Sequence, residues 1–339
     1  MSKDNSYAHI DFPKLKRGGV DAAFFALYLP ADLDEEAAYE YARKLYSGVN
    51  DMLKDNPDKA ALTVSEAQAF NNKKEGLFSV FLGLENGSAI GHSMDRLREF
   101  YDMGIRYVTL CHSRDNQICD SCASKEKTWH GLSPFGRELV AEMNKLGMLI
   151  DVSHISDEAF YDVLKYSSKP VVATHSCCRA LSDHPRNMSD DMIKALAAKG
   201  GVIQINFYPI FLDVNFDEVM SSSGISERGE VIEAEFIADP FNEERRKAWH
   251  EVLAELTALK RPSYKLIADH IDHVVKLVGI DHVGLGSDFD GIAVTPDGME
   301  DVSMVPALFD ELRRRGYTQE DLEKIASKNF FNAFSCAGA

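Results

Sequence analysis

Residues 132–156 read LSPFGRELVAEMNKLGMLIDVSHIS, a helix, a turn and a strand that stops on a histidine. Ser133 is placed to cap the helix, Pro134 suits its first turn and Gly147 closes it. Leu139, Val140, Met143 and Leu146 recur at helical spacing and form one apolar stripe. MLIDVSHIS then has the short, apolar, β-branched character of a strand, and it breaks off at His154.

The same grammar recurs along the chain. Apolar runs that end abruptly in polar or glycine-containing sequence are VDAAFFALYLP (20–30), LFSVFLGLENG (77–87), RYVTLCHSRD (106–115), PVVATHS (170–176), GVIQINFYP (201–209) and HVGLGSDFDG (282–291). Runs apolar on both faces suit strands of a parallel sheet covered by helices. Helical patterns lie between them: a helix over 96–103 stops at Gly104, and NMSDDMIKALAAKGG is capped by Ser189 and ended by Gly200. Alternating strands and helices with right-handed crossovers predict a (β/α)8 TIM barrel of the metal-dependent hydrolase type. Only seven strands are found where eight are needed. Residues 1–339 read as one barrel domain, interrupted over about 212–265 by a charged excursion with one or two helices at the barrel mouth.

Composition narrows the function. The 54 acidic against 37 basic side chains leave a net charge of −17, which argues against nucleic acid or an anionic membrane as partner. No apolar run reaches the roughly 18 residues of a membrane span. The start MSKDNSYAHIDF has no apolar core of a signal peptide, so the chain as written reads as cytoplasmic, with export requiring a signal upstream. Six cysteines in this length are no disulfide scaffold, and Cys119-x-x-Cys122 sits in a polar loop as incidental thiols.

The chemistry stands at the strand ends. Glu85, His112, His154, His175 and Asp288 each follow a buried run, and in a barrel such positions converge on one mouth. Glu85, His154 and His175 form a set of one carboxylate and two imidazoles suited to zinc, Asp288 is placed for proton transfer, and His112 for the developing oxyanion. Arg186, in DHPRNMSD, suits a substrate carboxylate. His270-x-x-His273 precedes the last strand and is assigned to the opposite end of the barrel, as a structural pair. No H-E-x-x-H, G-x-S-x-G or P-loop pattern occurs.

Taken together, GLSPFGRELVAEMNKLGMLIDVSHIS, PVVATHSCCRALSDHPRNMSDDMI, INFYP and VGLGSDFDGI resemble the renal (membrane) dipeptidase family from about residue 9 onward. The resemblance implies a zinc-dependent barrel that hydrolyses dipeptides, some with a D-residue at the C-terminal side, and that forms a homodimer. By motif, Glu85 resembles the carboxylate bridging two zincs, His154 and His175 the other ligands of one zinc, and Asp288 the acid/base aspartate. His112 and Arg186 resemble substrate-binding residues, and the segment at Tyr208 is typical, although Phe211 stands where a carboxylate-binding tyrosine is expected.

One departure concerns the first metal pair. The family opens with a strand ending in H-x-D, followed by a helix and loop leading to PKL-x-x-GG. Here PKLKRGG begins at Pro13, so His9-Ile10-Asp11 falls in the tail of that connection, and the polar MSKDNSYA before it is no buried strand. The expectation is therefore a chain without the first strand, holding donors for one zinc and impaired as a peptidase. The alternatives are a barrel that only binds, or a metal-dependent hydrolase of other amides or lactones.

Overall fold

The computed structural model describes residues 1–5, 7–239 and 242–338. Its frame is one parallel sheet whose strands are β1 (Ala22–Tyr28), β2 (Ala60–Leu62), β3 (Phe78–Glu85), β4 (Ile105–Thr109), β5 (Leu149–Asp151), β6 (Val172–Ser176), β7 (Val202–Asn206) and β8 (Val283–Gly286). The order is β1-β3-β4-β5-β6-β7-β8, and the short β2 pairs with the start of β3. The sheet curls as a TIM barrel does, and among the described residues no ladder joins β8 to β1. The predicted seven runs are thus all strands; the eighth, Ala60–Leu62, lies off the main path.

The predicted helix boundaries hold where caps specify them. Ser133 accepts from Gly136 N–H, Pro134 opens the helix Pro134–Leu146, and Gly147 closes it at φ 79°. Ser189 accepts from Met192 N–H at the head of Asp190–Ala198. Among the described residues the excursion contains three helices of eight residues or more, Asn215–Ser222, Ser226–Ala238 and Glu243–Thr257, where one or two were expected. Phe216, Trp249, Val252 and Leu256 form a small core there, against which Tyr208 and Phe211 pack.

Alternation along the strands sorts the barrel interior into layers. Phe24, Phe81, Tyr107, Leu149, Val172 and Val202 form a lower layer, closed by Phe330 and Phe334 of the C-terminal helix Asn329–Ala337. Further along the same strands stand Thr109, Asp151, Thr174 and Asn206, all buried, and four positions along β3 from Phe81 stands Glu85. Between Phe81 and Glu85, Gly83 admits the Tyr107 ring: a Cβ there would lie 2.0 Å from a ring carbon. At the last strand, Gly286 passes so close to β6 that a Cβ would lie 2.0 Å from the Thr174 carbonyl oxygen. That approach carries the following Asp288 toward His175.

Candidate active site

Four of the five predicted strand-end residues, Glu85, His112, His154 and His175, meet, and Asp288 is near enough to feel the charges of His175 and Glu85. Glu85 Oε1 lies 3.4 Å from His154 Nε2 and 3.4 Å from His175 Nε2. The two histidine Nε2 atoms are 2.8 Å apart, and His112 Nε2 stands 3.9 Å from the same carboxylate oxygen. Glu85, His112 and His154 also offer donor atoms all within 4.8 Å of one another, so His112 stands closer to the ligand set than its sequence role implies. Asp288 is half-buried, its Oδ2 accepting from Asn206 Nδ2 at 3.0 Å. Arg186 is buried and donates from Nη2 to the His175 carbonyl at 3.0 Å, its guanidinium over the Phe211 ring. Tyr208 begins the turn after β7 and packs edge-on against Phe211, while Tyr28 packs edge-on against His112.

The electrostatics fit a cation. Burial alone would raise the Glu85 pKa, yet contacts from His154 and His175 hold the carboxyl well below the usual range. Burial drives the His154 pKa well down, with the Arg186 charge adding to the effect. His175 is also opposed by burial, but Glu85 more than offsets it and the net shift is upward. Two imidazole nitrogens at 2.8 Å share either one proton, as an N–H···N hydrogen bond, or a metal ion. A tetrahedral ion with nitrogen ligands at about 2.0–2.1 Å has ligand atoms about 3.3 Å apart, so this donor set suits a small divalent cation. His112 is pushed down to about 4 by burial and stays neutral near pH 7, and its Nδ1 has no partner. Burial raises the Asp288 pKa, countered in part by His175 and reinforced by Glu85.

Backbone strain concentrates here. Non-glycine residues with positive φ are Asn86, His130, His154 (73°), Asp288 (59°) and Asp290. Four of the five follow β3, β5 or β8 at the mouth, where a positive φ redirects the chain at some cost in energy.

Other assignments separate from the centre. His9 accepts from Asp290 N–H through Nδ1 at 3.0 Å, and Asp11 caps the helix Phe12–Gly18 by accepting from Lys14 N–H at 2.7 Å. His270 corrects its sequence assignment: its Nδ1 accepts from Cys178 N–H, and its Nε2 reaches the Leu212 carbonyl. Both partners follow the C-terminal ends of β6 and β7, so His270 lies in the mouth half of the barrel, although its role is structural. His273 instead meets Asp190 Oδ1 at 2.7 Å. All six cysteines are free thiols.

Sequence reasoning missed Asn206, Asp151 and Thr174. Each is a polar side chain inside an otherwise apolar run (INFYP, LIDVS, VVATHS), and a buried polar group without a partner is costly. That break in the pattern is the available signal.

Comparison with known proteins points to one family. A family model described as membrane dipeptidase (Peptidase family M19) matches residues 1–338. Dipeptidase aclJ of Aspergillus oryzae is 32% identical over 334 residues, covering 96% of this chain and 69% of that protein. The probable dipeptidase PvdM of Pseudomonas aeruginosa superposes with a TM-score of 0.82 at 27% identity, over 99% of this chain and 90% of that one. A metallopeptidase from Rhodobacter sphaeroides, solved with a phosphinate mimic of the dipeptide L-Ala-D-Ala, gives 0.80 at 25% identity over 99% and 92%. No helix among the described residues is long and apolar enough to cross a membrane. The chain belongs to the membrane dipeptidase family, Peptidase family M19, and is a peptide-bond hydrolase of that family.

Proposed function

We propose that this chain hydrolyses dipeptides, including those of L-Xaa-D-Xaa type, at a zinc site held by Glu85, His154 and His175. The observation that carries the reading is the placement of two imidazole Nε2 atoms, each 3.4 Å from one buried carboxylate oxygen. His175 is preferred over His112 as ligand because its Nδ1 is held by a hydroxyl, as ligating histidines require, whereas the His112 Nδ1 is free. When bound, the metal supplies Lewis acidity toward a carbonyl oxygen and toward water.

The remaining steps fall to side chains. Asp288, half-buried and with its pKa raised by desolvation, accepts a proton from the attacking water and returns it to the departing amine. Neutral His112 donates to the oxygen on which negative charge develops. Arg186 pairs with the free carboxylate of the dipeptide, and Tyr208 lines that end of the site. Acceptance of a D-residue is supported by the L-Ala-D-Ala mimic bound to the Rhodobacter sphaeroides relative.

One zinc is assigned, because His9 and Asp11 are engaged by Asp290 and by a helix cap. With a single zinc, peptidase activity is reduced relative to a two-metal site. A homodimer belongs to the same reading. Metal analysis of the purified chain alongside assay of L-Ala-D-Ala and L-Ala-L-Ala tests it. About one zinc per chain with measurable hydrolysis of either dipeptide is expected; two equivalents would refute the single site, and no hydrolysis the activity.

A further inference from the structure

We propose that Asp151, acting through the Thr174 hydroxyl, is a positioning residue that locks His175 in the tautomer with its proton on Nδ1. This deepens the proposed site and rests on His175 being a ligand.

Asp151 ends β5 and has no exposed surface. Its Oδ2 accepts from Thr109 Oγ1 at 2.5 Å and from Thr174 Oγ1 at 2.7 Å. Its Oδ1 accepts from Ser153 N–H at 3.0 Å and from Thr174 N–H at 2.9 Å. The two backbone N–H groups can only donate and the two hydroxyls are free to donate, so the set matches what an ionised carboxylate accepts. No basic side chain stands among these four partners, so the group is held by hydrogen bonds alone. A buried carboxylate so fully engaged is costly to keep unless it serves the site or the fold.

Proton counting then fixes the next link. Thr174 Oγ1 also lies 2.7 Å from His175 Nδ1. A hydroxyl carries a single proton, and this one points to Asp151. The Thr174 oxygen must therefore accept from His175, which places a proton on Nδ1. The reverse arrangement would set a hydroxyl lone pair against a carboxylate lone pair at 2.7 Å. With Nδ1 protonated, the Nε2 lone pair of neutral His175 faces Glu85 and His154, the side on which the metal would be held. The His175 backbone is pinned as well, its N–H donating to Ser153 Oγ at 3.1 Å. Asp151, Thr174 and His175 thus form a carboxylate–hydroxyl–imidazole chain, a variant of the carboxylate–histidine support common at metal sites.

Thr109 supplies an internal control. It gives Asp151 a bond like that of Thr174, from a buried position on β4, but among the described residues has no hydrogen bond to His175. The test compares Thr174→Val, Thr174→Ser and Thr109→Val. Zinc affinity is measured by competition with a chromophoric chelator. The histidine nitrogens of the metal-free chain are followed by 15N NMR at about pH 9, where imidazoles are neutral. Thr174→Val is expected to weaken zinc binding about 10- to 100-fold and to release His175 into mixed tautomers. Thr174→Ser should keep both properties, and Thr109→Val should keep both even if its Tm falls. A Thr174→Val chain with unchanged affinity and a single tautomer would overturn the proposal, as would an equal loss in Thr109→Val. Wild-type protein that binds no zinc would overturn the metal site itself, and the tautomer spectrum would still decide the relay.

Discussion

Replacing Asn206 by leucine should move the acid limb of the pH–rate profile upward by about 1 to 2 pH units. Asn206 has no exposed surface, and its amide donates to Asp288 Oδ2 at 3.0 Å. This bond favours the ionised carboxylate, the form that takes up a proton from water. A hydrogen bond to a charged group contributes about 1.5–3 kcal/mol, and one pKa unit corresponds to about 1.4 kcal/mol. Its loss raises the Asp288 pKa, so the carboxylate is protonated, and activity lost, at higher pH than in the wild type. Leucine resembles asparagine in shape, which limits cavity formation. The substitution also strands the Tyr208 N–H, which donates to Asn206 Oδ1 at 2.6 Å, and this costs about 1–3 kcal/mol of stability. The assay is kcat/KM for L-Ala-D-Ala from about pH 4 to 9, well below the Tm of both proteins. An unmoved limb with uniformly lower activity would refute the role assigned to Asn206 and weaken that of Asp288.

Further predictions concern packing, charge and binding. His270 is buried neutral, with its pKa pushed down to about 4 from the ordinary 6.5, chiefly by burial. Between those values the unfolded chain holds a proton that the folded chain lacks. Stability is therefore complete above about pH 6.5 and falls as pH drops toward 4, by roughly 3 kcal/mol. Denaturant titrations of wild type and His270→Gln should show a smaller acid loss in the variant, and parallel curves would contradict this. Gly83→Ala should destabilise by at least about 1–3 kcal/mol, because its methyl meets the Tyr107 ring, and a Tm equal to wild type would show that the ring yields freely. Arg186→Ala should raise KM for a dipeptide about 10- to 100-fold while leaving the corresponding dipeptide amide little changed. Equal losses on both substrates would remove the carboxylate contact.

Much of the centre is legible in the sequence because a barrel converts strand ends into neighbours. Glu85, His112, His154, His175 and Asp288 can be read as one site once each is seen to close an apolar run, with no knowledge of the distances between them. The same logic separates His9 and Asp11, which lack such a run and are bound instead to Asp290 and a helix cap. Other features depend on partners far away in sequence. Asp151 looks anomalous in LIDVS until Thr109 and Thr174 are brought beside it from neighbouring strands. Ala60–Leu62 is too short for a period to show, and it is a strand only because β3 extends beyond β4 at that end. Sequence order puts His270 in the wrong half because its helix, Lys265–Val278, starts at the mouth and runs down to β8. Proximity in sequence to the strand conceals its distance from the strand's start.

The most direct test of the central claim is hydrolysis of L-Ala-D-Ala by the purified chain before chelation, after chelator dialysis and after zinc is restored, with His175→Ala measured in parallel. The account predicts activity that disappears on chelation and returns with zinc in the wild type, and no zinc-dependent activity in the variant. Hydrolysis that survives chelation and the loss of His175 would contradict it.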